Sequence, residues 1–179
     1  MISLVTLADL QSYKYICDSV KNSISWVQFC SEAQLLDVKP WLTDALLLEI
    51  IGQASTLPTT ISAANQTLLD GGTYVYGTKT YYFQGLKACI IYYAFARFTN
   101  RTAFNYTAAG IVLKDSDLST PVSDKVIQRL ETEARLTADA LKCEIITYLN
   151  RNSALYPLWE GKCGSSDCSN SRPFLILGN

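Results

Sequence analysis

Apolar positions recur along this chain in two rhythms, a long helical one and a short alternating one. The helical rhythm is clearest over residues 122–151, where Val126, Leu130, Ala134, Thr137 or Ala138, Leu141, Ile145 and Leu149 follow at spacings of three and four. That spacing gathers them on one helical face. Ser123, shortly after Pro121, is placed to cap the start. The span predicts a helix about 42 Å long at 1.5 Å per residue. Its other face carries Lys125, Arg129, Glu131, Glu133, Arg135 and Asp139, with Glu131 and Arg135 four apart, and reads as a solvated surface. Residues 86–101, LKACIIYYAFARFTNR, are apolar nearly all round, with Lys87, Arg97 and Arg101 their only charges. A helix apolar on every side belongs at the centre of a bundle.

Shorter helices precede these two. Thr6 with Asp9 three residues on resembles a capping box, and Leu10, Tyr13 and Cys17 follow at helical spacing. Residues 24–38 carry a broad apolar face, and Pro40 predicts that this helix ends or bends near Val38 or Lys39. A further helix is expected over 41–53, with Thr43 or Asp44 near its start. Residues 54–67, rich in small and hydroxyl side chains, read as a connection with one helical turn at 61–66.

The alternating rhythm occupies GGTYVYGTKTYYFQG, residues 71–85. Two β-rich runs flank Gly77-Thr78, which fits a two-residue type II′ turn. That turn sets Tyr74 opposite Tyr81 and Val75 opposite Thr80. One face then carries Tyr74, Tyr76, Tyr81 and Phe83, and the other Thr73, Val75, Thr80 and Tyr82. A lone hairpin is marginal in water, so the aromatic face must rest on its own helices or on another chain. Residues 102–121 predict a long arm with two or three short extended pieces, a length above the usual loop range. The tail has a packed anchor, ALYPLW, then a flexible spacer, EGKCGSSDCSNSRP. It closes with an isolated apolar FLIL at 174–177, which either returns to its own core or adds to a neighbour as a strand. The fold class expected is mainly α: a helical bundle with one long C-terminal helix, an inserted aromatic hairpin at 73–83 and an extended arm at 102–121. Residues 1–160 form one domain, and 161–179 a flexible tail.

Composition narrows the function. The 179 residues are 49% hydrophobic and 17% charged, with a net charge of −1. A charged share below the usual ~25% points to surface covered by partners. The near-neutral charge supplies no field for sheathing nucleic acid or an anionic membrane. There is no histidine, which removes the commonest general base and metal ligand. Cys17, Cys30, Cys89 and Cys143 sit among apolar residues and read as small buried hydrophobes. Cys163 and Cys168, in CGSSDC, lack the further ligands a zinc site needs. The N-terminus has no basic run ahead of an apolar one, as a secretory signal would. The apolar runs near 45–51 and 86–98 are too short or interrupted to span a bilayer. No phosphate-binding loop, nucleophile elbow, zinc-helix motif or calcium loop is present. Lys114, Asp115 and Asp117 are the one clustered polar group in the arm, and they read as an exposed loop. The expectation is a non-enzyme without metal or cofactor.

Four segments in order resemble one family. EAQLLDVKPWLTDALLLEI (32–50) is similar to a helix pair of head–tail connector proteins. The hairpin running into GLKACIIYYAFARF, the arm VLKDSDLSTPVSDKVIQRL and the helix end YLNRNSALYPLW are similar to blocks of the same proteins. These are the neck, adaptor or ring proteins of tailed phages infecting Bacteroidetes, crAss-like phages included. The match runs over roughly residues 8–160. The CGSSDC spacer and the FLIL tip have no counterpart in it. The resemblance implies a non-enzymatic virion protein made in the host cytoplasm. It would form a ring, commonly twelve-fold, between portal and tail. Double-stranded DNA would pass its lumen without sequence-specific binding, and other neck or tail ring proteins would dock on it. Subunit contacts would then fall on Tyr74, Tyr76, Tyr81 and Phe83 of the hairpin, and on Val112 and Lys114 of the arm. Tyr156, Trp159, Phe174, Leu175, Ile176 and Leu177 of the C-terminal region complete that set. The hairpin aromatics would be covered partly by the subunit's helix 86–101 and partly by a neighbour. The alternatives are an adaptor elsewhere in the tail, a monomeric binding module, or a small enzyme using Asp115 and Asp117.

Overall fold

A computed structural model describes residues 2–13, 24–55, 61–102, 104–107, 110–113, 123–161 and 175–176. The first helix, α1 (Leu7–Tyr13), starts on the box read from sequence. The Thr6 backbone N–H donates to the Asp9 carboxylate at 2.8 Å, and the Asp9 N–H donates to the Thr6 hydroxyl at 3.2 Å. Next come α2 (Ile24–Ala33), a π-helical turn (Gln34–Val38) and α3 (Lys39–Leu42). The expected end or bend near Val38 or Lys39 falls on the junction between the π turn and α3, and the helical path runs on to Leu42 rather than stopping. Proline has no N–H to give the preceding turn. The wider π turn shifts the bonding, and Pro40 falls in the first turn of α3, where a donor is not needed. The chain breaks instead at Thr43, the non-glycine residue with positive φ (76°) among those described. Its hydroxyl accepts from the Leu46 N–H and opens α4 (Asp44–Ser55).

The connection before the hairpin is more helical than expected. Ser62 accepts from the Asn65 N–H and caps α5 (Ala63–Asp70), which takes in Leu68 and Leu69 as buried residues. Gly71 ends α5 at φ 80°, and Gly85 starts α6 (Gly85–Thr102) at φ 81°. The two glycines form the foot of the hairpin β1 (Gly72–Tyr76) and β2 (Lys79–Phe83). A Cβ on Gly71 would lie 2.5 Å from Phe83 O, and one on Gly85 2.3 Å from Gly71 N. Only residues without a Cβ allow the two chains to pass so closely. The register is the expected one, Tyr74 opposite Tyr81 and Val75 opposite Thr80. Gly77 has φ 63° while Thr78 does not turn positive, as a type II′ turn requires.

The fold is mainly helical, with α6 at its centre: Leu86, Ala88, Cys89, Ile90, Ile91, Tyr93, Ala94 and Ala96 are all buried. It packs on α1, α2, α5 and, most extensively, on α7 (Asp124–Arg151), the long C-terminal helix. Ser123 sits at the N-cap without a side-chain hydrogen bond. The last five turns of α7 bury Ala134, Ala138, Leu141, Ile145, Ile146 and Leu149, whereas Val126 and Leu130 near its start stay exposed. Part of the arm is regular: β3 (Phe104–Thr107) and β4 (Gly110–Leu113) pair antiparallel, which accounts for two of the extended pieces. After α7, a 3-10 turn (Ser153–Leu155) leads to the buried Tyr156 and Trp159. Two residues of the tail, β5 (Leu175–Ile176), pair with β2, so the hairpin becomes a three-stranded sheet in the order β1-β2-β5. The open choice for the FLIL segment is met in this chain by a return to its own hairpin. Cys30 and Cys89 are buried free thiols, as expected. Cys143 is buried too, but is disulfide-bonded rather than a plain hydrophobe.

Candidate functional site

The hairpin aromatics meet the end of α7. Tyr74 stacks on its cross-strand partner Tyr81, with ring centroids 5.5 Å apart. Phe83 stacks on Tyr148 of α7 at 4.1 Å, and Tyr74 meets the same ring edge-on at 5.0 Å. Aromatic pairs at these separations add to what burial alone contributes. One turn later, the Arg151 guanidinium lies over Tyr81 at 4.1 Å and Tyr76 at 4.8 Å, and donates to the Tyr74 hydroxyl at 3.1 Å. The layer continues inward. The Tyr156 hydroxyl donates to the Ala64 carbonyl at 2.6 Å, so the Tyr148 hydroxyl, 3.1 Å away, donates to Tyr156. Burial, with the Tyr148 contact adding to it, pushes the Tyr156 phenol up, so it stays a donor at any ordinary pH. The Trp159 indole N–H donates to Asn150 at 2.9 Å.

This geometry revises the expected contact set. Part of the cover over the aromatic face comes from α7, through Tyr148 and Arg151. Tyr74 and Phe83 are 9% and 1% exposed, and Tyr156 and Trp159 are buried, so these four belong to this chain's own core. Tyr81 is half-buried beneath Arg151. Tyr76, at the hairpin tip, remains 52% exposed. The reverse face is open: Val75 is 68% exposed and Tyr82 38%. Tyr148, Arg151, Val75 and Tyr82 are the additions the structure makes. A basic residue in the last helical turn was visible in sequence, but not which rings it would meet. Val112 lies on β4 and Leu175 and Ile176 on β5, while Lys114, Phe174 and Leu177, like Asp115 and Asp117, lie outside the described residues.

The chain belongs to the DUF6712 family. The family model, described as a family of unknown function, matches residues 38–169. No curated protein and no solved structure matches the chain. The DUF6712 span takes in the hairpin, α6, α7 and the aromatic layer, and stops short of β5.

A second cluster of polar groups lies where the π turn meets α6 and α7. Leu36, Asp37, Pro40, Trp41, Tyr93, Arg135, Asp139 and Lys142 line a cleft of about 410 Å³. Asp37, carried on the π turn, receives both Nε and Nη2 of Arg97 at 2.8 and 2.9 Å. Arg97 also lies 3.7 Å from Glu32, and Arg135 3.8 Å from Asp37 and 3.0 Å from Glu131. The Asp37 hydrogen bond is the chief cause holding the Arg97 guanidinium above its ordinary value. The Tyr93 hydroxyl donates to Asp139 at 2.5 Å. Burial, with Cys89 and Asp139 near, drives this phenol far up. Asp37 is matched to Arg97 and Asp139 to Tyr93. The arrangement ties three helical elements together. Among the described residues no group of three or more His, Cys, Asp or Glu is placed to hold a metal ion, and no helix is long and apolar enough to cross a membrane.

Proposed function

We propose that this DUF6712 chain is a head–tail connector: a structural subunit that closes into a ring in the neck of a tailed phage, between portal and tail. The observation that carries this reading is the hairpin. Its inner aromatic face is filled by the subunit's own α7, yet Val75, Tyr76 and Tyr82 remain uncovered on its tip and reverse face. A half-exposed apolar sheet face on a chain with so few charges is surface suited to a partner. A ring needs two different surfaces per subunit, because each contact is head-to-tail. The exposed Val126 and Leu130 at the start of α7 supply a second apolar patch. The four-segment resemblance to neck proteins favours the connector among ring-forming proteins.

Light scattering of the purified chain at several concentrations, followed by binding to a portal protein from the same source, tests the reading. A defined large oligomer, or a monomer that forms rings on portal, is the expected result. A monomer that neither assembles nor binds portal overturns it in favour of a binding module.

A further inference from the structure

The third strand of the sheet comes from far along the chain. Thr80 and Tyr81 on the free edge of β2 are the partners of Ile176 and Leu175. The seat is narrow: two residues of a five-residue strand. Residues 162–174 join it to the body. Fully extended, that stretch reaches roughly 45 Å. A compact chain of this length has a radius of gyration of about 16 Å, so packed neighbours have centres on the order of 40 Å apart. The tail is therefore long enough to reach either its own β2 edge or the next subunit's, with the same pairs at the seat.

We propose that, in the assembled ring, the β2 edge is a strand-docking slot filled by Leu175–Ile176 of the neighbouring subunit. The proposal rests on the ring reading above. Each subunit has one acceptor edge and one donor strand. Exchange around a closed head-to-tail ring therefore fills the Thr80–Tyr81 seat of every β2 edge, which an open strand would otherwise offer to aggregation. The exchanged state keeps the pairs seen in the single chain, so the two states differ little at the slot itself. Within an assembly the neighbour's strand is held at a high effective concentration. The ring's other contacts then decide between the two. Backbone pairing supplies the attachment, as in other strand-addition contacts.

The test uses two full-length variants, Thr80→Cys and Ile176→Cys, co-expressed with different tags and mildly oxidised. Peptide mass mapping then locates any new linkage between positions 80 and 176. Each variant alone controls for the native cysteines. Exchange predicts a covalent heterodimer in the oligomer fraction. A chain carrying both substitutions should then give a ladder of linked subunits. If the double variant gives only an internally linked chain and the co-expressed pair gives no heterodimer, the exchange is overturned. Light scattering of the same samples separates the two readings. A ring with internal linkage alone leaves the connector reading standing, whereas a monomer that also fails to assemble on portal overturns both. As a second measure, a chain ending at residue 161 should keep its helical circular dichroism but lose oligomer. Unchanged mass would also overturn the proposal.

Discussion

Gly71 and Gly85 show how much single positions determine here. Each has positive φ and backbone of the other strand's end within 3 Å of where a Cβ would sit. Gly71→Ala or Gly85→Ala should therefore cost about 2–3 kcal/mol, read by urea denaturation. Gly77→Ala, in a turn open on all sides, should cost only the ~1–2 kcal/mol of a left-handed residue. Equal losses at all three would mean the glycine foot is not a close crossing. Thr6 offers a pH signature. Burial pushes the Asp9 carboxyl up, but hydrogen bonds from Thr6 and Lys87 outweigh this and hold it below its ordinary value. Its contribution is thus present above the ordinary carboxylate range and lost as pH falls through the depressed folded-state value. Thr6→Ala should cost about 1 kcal/mol at neutral pH, and the gap from wild type should narrow in acid. A gap that widens in acid contradicts the assignment. Thr6, Asp9 and the turn glycines were legible in sequence because caps and tight turns depend on neighbours a few residues away.

At the scale of elements, the π turn is the feature that sequence reasoning missed. Pro40 announces a disturbance but does not say whether the helix stops or rewinds. The rewinding places Asp37 against Arg97, sixty positions away. Breaking such a shielded, two-pronged pair leaves one charge without its partner. Asp37→Asn and Arg97→Met should each cost about 3 kcal/mol, and the double variant less than their sum. A thermal-melt double-mutant cycle with strictly additive losses would show that the pair is not coupled. Arg151 binds the hairpin to the end of α7 in a similar way. Arg151→Ala should cost about 1–2 kcal/mol through lost stacking and a lost hydrogen bond. Lysine should recover little of it, because a point charge cannot stack on Tyr81 and Tyr76 as a planar group does. Full rescue by lysine would show that charge alone matters.

For the whole molecule, the hairpin has one face in the core and one left open, which the ring reading assigns to assembly. Tyr74→Ser removes a ring packed against Tyr81, Phe83 and Tyr148 and should cost about 3 kcal/mol of subunit stability. Val75→Ser with Tyr82→Ser should leave the melting temperature within a degree or two, since exposed substitutions change stability by roughly 0.5 kcal/mol. On the ring reading, the same pair should reduce the mass measured by light scattering. Melting of the Val75/Tyr82 variant with no change in assembly would place the reverse face in the core and remove the main support for a ring.

The sequence by itself determined the parts that rest on local periodicity and turn chemistry. These are the long helix ending at Arg151, the wholly apolar helix at the centre, and the hairpin with its register and II′ turn. They are decided by neighbours within about four residues, or by the two-residue period of a strand, and so can be read along the chain. The tertiary structure decided what each face meets. It set Tyr148 and Arg151 of α7 against the aromatic face, buried Tyr156 and Trp159 in this chain's own core, paired two strands within the arm, and seated Leu175–Ile176 on β2. Such choices follow from competition among distant surfaces for the same apolar cover, and no local pattern encodes which surface arrives.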